Sequence, residues 1–268
     1  MSSTSRNIND KDDQSYTEWT VLYHAPGQFK GRGEFLRLML EDAGASYVNS
    51  AENLYGPEGM MDGFRGGDAA TAISKHHDSV TFPLLFPPAI WHRPKDAPSV
   101  MVNQTAACMA YLGDVMGYAP STPAERARAN AVTLNALDYI AEGRSSFHPV
   151  KNSMSYKDQK DEGDKCSKEF VGTRMKIFLY HFAKIVAGNE TSTSPIAGGS
   201  AVTYADFALF HVLDATVSQF NTEFYAHAWD AFEGKELKEY YQWMKDRPNL
   251  QKYFQSDRCA PFAGDSMM

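Results

Sequence analysis

The hydrophobic period of this chain changes once, near residue 122, and the change separates a part that builds a sheet from a part that is helical throughout. Trp19-Thr20-Val21-Leu22-Tyr23 is a short aromatic and β-branched run that predicts a buried strand, broken by Pro26-Gly27. From Glu34 onward, Phe35, Leu36, Met39, Leu40 and Ala43 form the stripe of an amphipathic helix, with Gly44 placed to end it. Tyr47-Val48 predicts a second strand, which makes a β-α-β opening. Residues 56–80 are rich in glycine and nearly free of period, so they predict irregular structure with at most a short helix. The runs Phe86–Trp91 and Val100–Val102 flank the turn-rich stretch HRPKDAP and predict a hairpin, and Ala106–Met116 predicts a helix closed by Gly117. Thr122-Pro123-Ala124-Glu125 is then a capping box with proline at the first helical position. Helical patterns follow at 123–142, roughly 158–187, 203–220 and 235–246.

A length of 268 residues favours two domains. We expect a disordered tail over 1–17, an α/β domain over 18–117, a linker over 118–122 and an all-helical domain over 123–268. With 26 Lys and Arg against 33 Asp and Glu, the formal charge of -7 argues against nucleic-acid binding. The opening MSSTSRNINDKDDQSY has no apolar core of the kind a signal peptide needs, and no later run approaches a membrane span, so the expected location is cytoplasmic. Cys108, Cys166 and Cys259 are widely spaced and odd in number, which predicts neither a disulfide framework nor a zinc site. Cys108 reads as a small core residue, and His76-His77-Asp78 as a polar surface turn with no metal.

The order β-α-β, loop, β-β-α, then helices only, resembles the cytosolic glutathione transferases across nearly the whole chain. Gly31-Arg32-Gly33-Glu34-Phe35-Leu36-Arg37 resembles the start of that family's first helix, Phe86-Pro87-Pro88-Ala89 its cis-proline loop, and Asn103-Gln104-Thr105 its Gln-Ser/Thr pair. Thr203-Tyr204-Ala205-Asp206 resembles the capping box of its helical domain, and Asp246-Arg247-Pro248-Asn249-Leu250 its late motif. The resemblance implies a thioredoxin-like N-terminal domain that grips glutathione, an all-α C-terminal domain that receives a small electrophilic substrate, and a homodimer. Glutathione is then a cosubstrate, and no metal or prosthetic group is implied.

Such chemistry needs a thiolate, and a thiol of pKa about 8.5 is only a few per cent ionised at neutral pH. Lowering that pKa by about two units takes roughly 2.7 kcal/mol of preference for the anion, the scale of one or two hydrogen bonds to a charged group. From the residues alone Tyr23, at the end of the first strand, reads first as strand-end packing; the resemblance reverses this and makes it the hydroxyl that supplies them. The loop that follows is longer than in the pi-type and mu-type patterns, which brings His24 and Tyr16 into view as neighbours. No cysteine occurs between residues 19 and 44, against a thiol-transfer or Cys-x-x-Cys redox function.

Gln104 and Thr105, where a strand runs into a helix, are placed to hold the γ-glutamyl carboxylate, and Thr105 could also cap that helix. Pro88 matches the cis-proline, with Pro87 before it offering a carbonyl only, and Phe82-Pro83 is the rival position. Arg32 stands near Tyr23, where a cation could assist the thiolate, and Asp138 is placed by resemblance to reach the γ-glutamyl amine across a dimer interface. Phe147-His148-Pro149 and Tyr156 are expected to line the acceptor pocket, whereas Thr203 and Asp206 read as a folding device. Transfer of the glutathione sulfur to an apolar electrophile is the expected function. The alternatives are a glutathione-dependent isomerase of prostaglandin-synthase type and a non-catalytic glutathione or hydrophobe carrier.

Overall fold

In the computed structural model, which describes residues 18–24, 27–50, 86–189, 191–197, 201–264 and 266–267, the run Trp19–Leu22 forms strand β1 at the middle of a sheet. Expectations placed on 1–17 and 51–85, including Tyr16, His76-His77-Asp78 and Phe82-Pro83, lie outside the described residues. Strand β2 (Tyr47–Ser50) pairs with β1 in parallel, β3 (Ala89–His92) pairs with it antiparallel, and β4 (Val100–Asn103) is antiparallel to β3, giving the order β2-β1-β3-β4. A parallel pair needs a crossover, and helix α1 (Glu34–Asp42) supplies it. All four residues of β1 are buried, as a central strand covered on both faces requires. The strand expected from Phe86 begins only at Ala89, because neither Pro87 nor Pro88 has an N–H to give to a ladder.

Every residue of α1 from Glu34 to Glu41 is buried. The helix packs on α2 (Thr105–Met116) and on helices of the C-terminal half, so its charged residues need partners inside the protein. Helix α3 (Pro123–Phe147) starts at the expected capping box: Glu125 N–H donates to Thr122 Oγ1 at 3.2 Å and Thr122 N–H to Glu125 Oε2 at 3.1 Å. The single helix expected over about 158–187 is instead a 3₁₀ turn (Tyr156–Gln159), α4 (Lys160–Gly172) and α5 (Arg174–Ala187). The break falls at Thr173, with φ −126° and ψ −82°, whose hydroxyl donates to Glu169 O at 2.7 Å and so competes with helix continuation.

Helix α6 (Tyr204–Phe220) is the centre of the helical half, and Phe207, Leu209, Phe210, Leu213 and Phe220 on it are fully buried. Each such side chain contributes about 1.5–3 kcal/mol of apolar transfer. Its buried Asp206 acts as expected in folding: Oδ2 accepts from Thr203 N–H at 2.7 Å and the Thr203 hydroxyl at 2.8 Å, and Oδ1 from Ile196 N–H at 3.0 Å and the Tyr240 hydroxyl at 2.9 Å. Helix α7 (Lys235–Lys245) is followed by an unanticipated α8 (Pro248–Phe254), which Pro248 can open because the first helical N–H needs no partner. Arg247, between them, donates to both oxygens of Asp42 at 2.6 and 2.7 Å, tying the late motif to the end of α1. No helix among the described residues is long and apolar enough to cross a membrane, and none of their His, Cys, Asp or Glu side chains cluster as metal ligands.

Candidate functional site

The strand register brings three of the singled-out residues to one edge of the sheet. Leu22 of β1 pairs with Ala89 of β3, and Ala89 with Asn103 of β4, so the next residues outward, Tyr23, Pro88 and Gln104, continue that row. Adjacent strands lie about 4.8 Å apart, so the row spans roughly 10 Å. The Pro87-Pro88 peptide is cis, and Pro88 is buried while Pro87 is partly exposed. Gln104 is exposed, with φ 71° and ψ 122°, at the residue preceding α2. Thr105 is 2% exposed as the first helical residue, and no side chain caps this helix, which corrects the expectation of a threonine cap. Cys108 is fully buried and its thiol donates to Val102 O at 3.1 Å, with burial pushing its pKa up to about 12.

Tyr23 is 6% exposed, and its N–H donates to Ser50 O at 3.1 Å, extending the β1–β2 pairing by one residue. Phe29, Gly31 and Gly33 of the following loop lie against its ring. Gly31 has φ +55°, and a Cβ there would lie 2.4 Å from Tyr23 Cε1 and 2.6 Å from its hydroxyl oxygen, so only glycine allows this approach. The closeness sets up one hydrogen bond: Arg32 N–H donates to Tyr23 Oη at 2.9 Å. The hydroxyl therefore accepts from the protein and keeps its own proton to give. Burial raises the Tyr23 pKa against the opposing pull of the Arg32 N–H and the charges of Arg32, Arg37 and Arg144, so the phenol is neutral and a donor at physiological pH. Its ring meets His24 edge-on at 4.9 Å and Phe29 at 6.1 Å between centroids.

Behind the loop lies a cluster of buried charges outside the site residues expected from the sequence. Arg37 Nε donates to Glu34 Oε2 at 2.7 Å, its Nη2 donates to Lys30 O, and Tyr253 Oη donates to Glu34 Oε2 at 3.0 Å. Burial works against the charged form of both partners, yet Arg37 and Lys30 together hold Glu34 below the usual carboxylate range. Lys30 is held above its ordinary value by Glu34 and Asp214, which outweigh its own burial. His211, fully buried, stacks on Phe262 and meets Phe35 edge-on at 4.5 Å, with neither ring nitrogen hydrogen-bonded among the described residues. Burial pushes its pKa down to about 4. A Glu-x-x-Arg pair on a helix buried all round was the available signal for this cluster, but the partners Asp214, His211 and Tyr253 lie about 180 to 220 residues away.

The remaining expectations divide. The Arg32 side chain is partly exposed, and its backbone makes the contact with Tyr23. Asp138 is exposed on α3 and makes no hydrogen bond or ion pair among the described residues. Phe147 is 1% exposed and packs on Phe220 and Tyr156 at 5.9 and 5.6 Å, so it serves the core and not an open pocket. His148 and Tyr156 belong to a hydrogen-bonded turn after α3, His148 Nδ1 lying 2.9 Å from Met154 O and the Tyr156 hydroxyl donating to Asp164. A cavity of about 660 Å³ between α4, α5 and residues 223–233 has Met175, Leu179, Phe224 and Phe232 in its walls and does not include Tyr23.

Residues 145–257 match the family model described as "Glutathione S-transferase, C-terminal domain". No curated protein matches the sequence. Among solved structures, the chain resembles the pi-class glutathione S-transferase of Onchocerca volvulus (19% identity over 89% of this chain and 92% of that one, TM-score 0.60). It also resembles the glutathione S-transferase of Ascaris lumbricoides (18%, 88% and 96%, TM-score 0.57) and a nu-class enzyme of Haemonchus contortus (19%, 91% and 98%, TM-score 0.56). At these identities the likeness establishes the fold, a thioredoxin-like sheet with an all-α C-terminal half. The chain therefore has the fold of the glutathione S-transferases over nearly its whole length, and its residues 145–257 match that family's C-terminal domain.

Proposed function

We propose that this protein is a glutathione transferase in which Tyr23 stabilises the glutathione thiolate for attack on an electrophilic, largely apolar substrate. The observation that carries the reading is the Tyr23 hydroxyl: it accepts from Arg32 N–H at 2.9 Å, retains its proton, and stands in register with Pro88 and Gln104 at one sheet edge. An extended tripeptide laid along that edge would meet the Pro87 and Pro88 backbone beside its cysteinyl part and Gln104 with the first α2 N–H groups beside its γ-glutamyl carboxylate. Its sulfur would then face Tyr23, whose hydrogen bond favours the anion. Arg32 and Arg144 add positive potential at the same point. Acceleration comes from an ionised nucleophile and from holding two substrates together. The mechanism calls on glutathione as cosubstrate and on no metal or prosthetic group.

We assign Asp138 to the γ-glutamyl amine of a second copy's site in a homodimer, a role its exposure on α3 permits. A cytoplasmic location fits a reaction that consumes reduced glutathione.

The test is the ultraviolet absorbance of glutathione thiolate bound to the wild-type protein and to Tyr23→Phe, titrated from about pH 5 to 9 around the free-thiol value. A pKa lowered in the wild type and returned toward the free value in Tyr23→Phe is the expected result. Equal lowering in both removes Tyr23 from the mechanism, and no lowering in either replaces the enzyme by a glutathione carrier.

A further inference from the structure

The loop over Tyr23 is held chiefly at Lys30, and part of that hold comes from the other half of the chain. Lys30 N–H donates to Pro261 O at 2.9 Å, its carbonyl accepts from Arg37 Nη2, and its ammonium donates to Asp214 Oδ2 at 2.7 Å. The two side chains of this ion pair are 8% and 15% exposed, and the ammonium lies 4.4 Å over the Phe262 ring and 5.6 Å over that of Phe254. Asp214 is itself fixed, because its Oδ1 accepts from the Tyr241 hydroxyl at 2.8 Å and that hydroxyl accepts from Lys245 Nζ at 3.1 Å. Arg32 follows Lys30 by two residues, so a shift of Lys30 by about 1 Å is passed along the backbone to Arg32 N–H, more than a hydrogen bond tolerates.

We propose that Asp214 is a positioning residue for thiolate stabilisation: through Lys30 it holds the Gly31–Gly33 turn so that Arg32 N–H stays on the Tyr23 hydroxyl. The inference rests on the reading of Tyr23 as thiolate donor. That hydroxyl gives its proton more readily when its oxygen accepts a hydrogen bond, because chained hydrogen bonds polarise one another. Removing the carboxylate takes away the ammonium's hydrogen-bonded partner and leaves Glu34 as its remaining counter-charge, and the ammonium relieves the loss by moving toward water and taking the turn with it. The titratable and charged groups facing the pair are Glu34 and Arg37 from α1, His211 from α6, Tyr241 and Lys245 from α7 and Cys259 from the C-terminal segment. Those acting on Tyr23 are Arg32, Arg37 and Arg144.

The test compares the full chain with Asp214→Asn, Lys30→Met and Tyr23→Phe, and with Asp214→Asn combined with Tyr23→Phe, reading the bound-thiol pKa and the pH profile of kcat/KM toward a chromogenic aryl halide. Asp214→Asn and Lys30→Met are expected to raise the bound-thiol pKa by about one unit, from about 6.5 to about 7.5, a roughly fivefold loss of kcat/KM at pH 6.5 that largely recovers by pH 8.5. In the Tyr23→Phe background, Asp214→Asn should add no further shift. A thiol pKa unchanged by Asp214→Asn while Tyr23→Phe raises it overturns the proposal and leaves Tyr23 standing. So does a loss that is the same at every pH and in both backgrounds, the mark of a purely structural residue. If Tyr23→Phe itself leaves the thiol pKa unchanged, the reading of Tyr23 fails and the proposal fails with it.

Discussion

Replacing Gly31 by alanine tests whether the loop is fitted to Tyr23, and its cost follows from two separate terms. At φ +55° an alanine pays the left-handed penalty of about 1 kcal/mol. Its Cβ would also lie 2.4 Å from Tyr23 Cε1 against an ordinary contact of at least 3.4 Å, so the ring or the loop must move by about 1 Å. Such overpacking costs about 1–3 kcal/mol, which brings the total to about 2–4 kcal/mol. Gly117 isolates the first term, because it has φ +81° at the C-cap of α2 and nothing within 4 Å of a Cβ, so Gly117→Ala should cost only about 1 kcal/mol. Urea unfolding at 25 °C, read as a change of midpoint at constant slope, measures both. The excess for Gly31→Ala should be accompanied by a raised bound-thiol pKa, because the displaced ring loses Arg32 N–H. A Gly31→Ala variant no less stable than Gly117→Ala, with an unaltered thiol pKa, would refute the argument that the loop is packed on Tyr23.

The pKa of buried His211, about 4 when folded against 6.5 in the unfolded chain, means that the unfolded chain binds the extra proton first. Stability present above about pH 6.5 is therefore lost as pH falls toward 4, by about 2–3 kcal/mol at pH 4.5, and His211→Leu should remove that component from the difference in urea midpoint between pH 7 and 4.5. Asp206→Ala strands the Thr203 and Ile196 N–H groups and the Tyr240 hydroxyl and should cost about 3–5 kcal/mol in the same assay; a cost under 1 kcal/mol would mean that water replaces the carboxylate. Glu142→Gln breaks a bidentate pair with Arg174, but the pair is largely exposed, so a change no larger than about 1 kcal/mol, smaller still at high salt, is expected from thermal melts.

The elements that the sequence determined by itself are those whose signals are local. The period of α1, the glycine after it, the Thr122–Glu125 box and the Thr203–Asp206 box each act within about one helical turn, so the residues and their physical reason sit together in the chain. The break at Thr173 escaped because the apolar stripe runs on through it, while a single hydroxyl competes for the backbone. From the sequence Phe147 reads as pocket lining because an aromatic at a helix end looks alike in either role until Phe220 is seen beside it. At the site, the sequence could name Tyr23, Pro88 and Gln104 one at a time, but only strand register places them in a row. The tertiary structure alone decided what surrounds them: Arg32 N–H on the tyrosine hydroxyl, and Asp214, 184 positions beyond Lys30, holding the turn. Charges buried by the docking of two halves choose their partners across that interface, and no spacing along the chain records the choice.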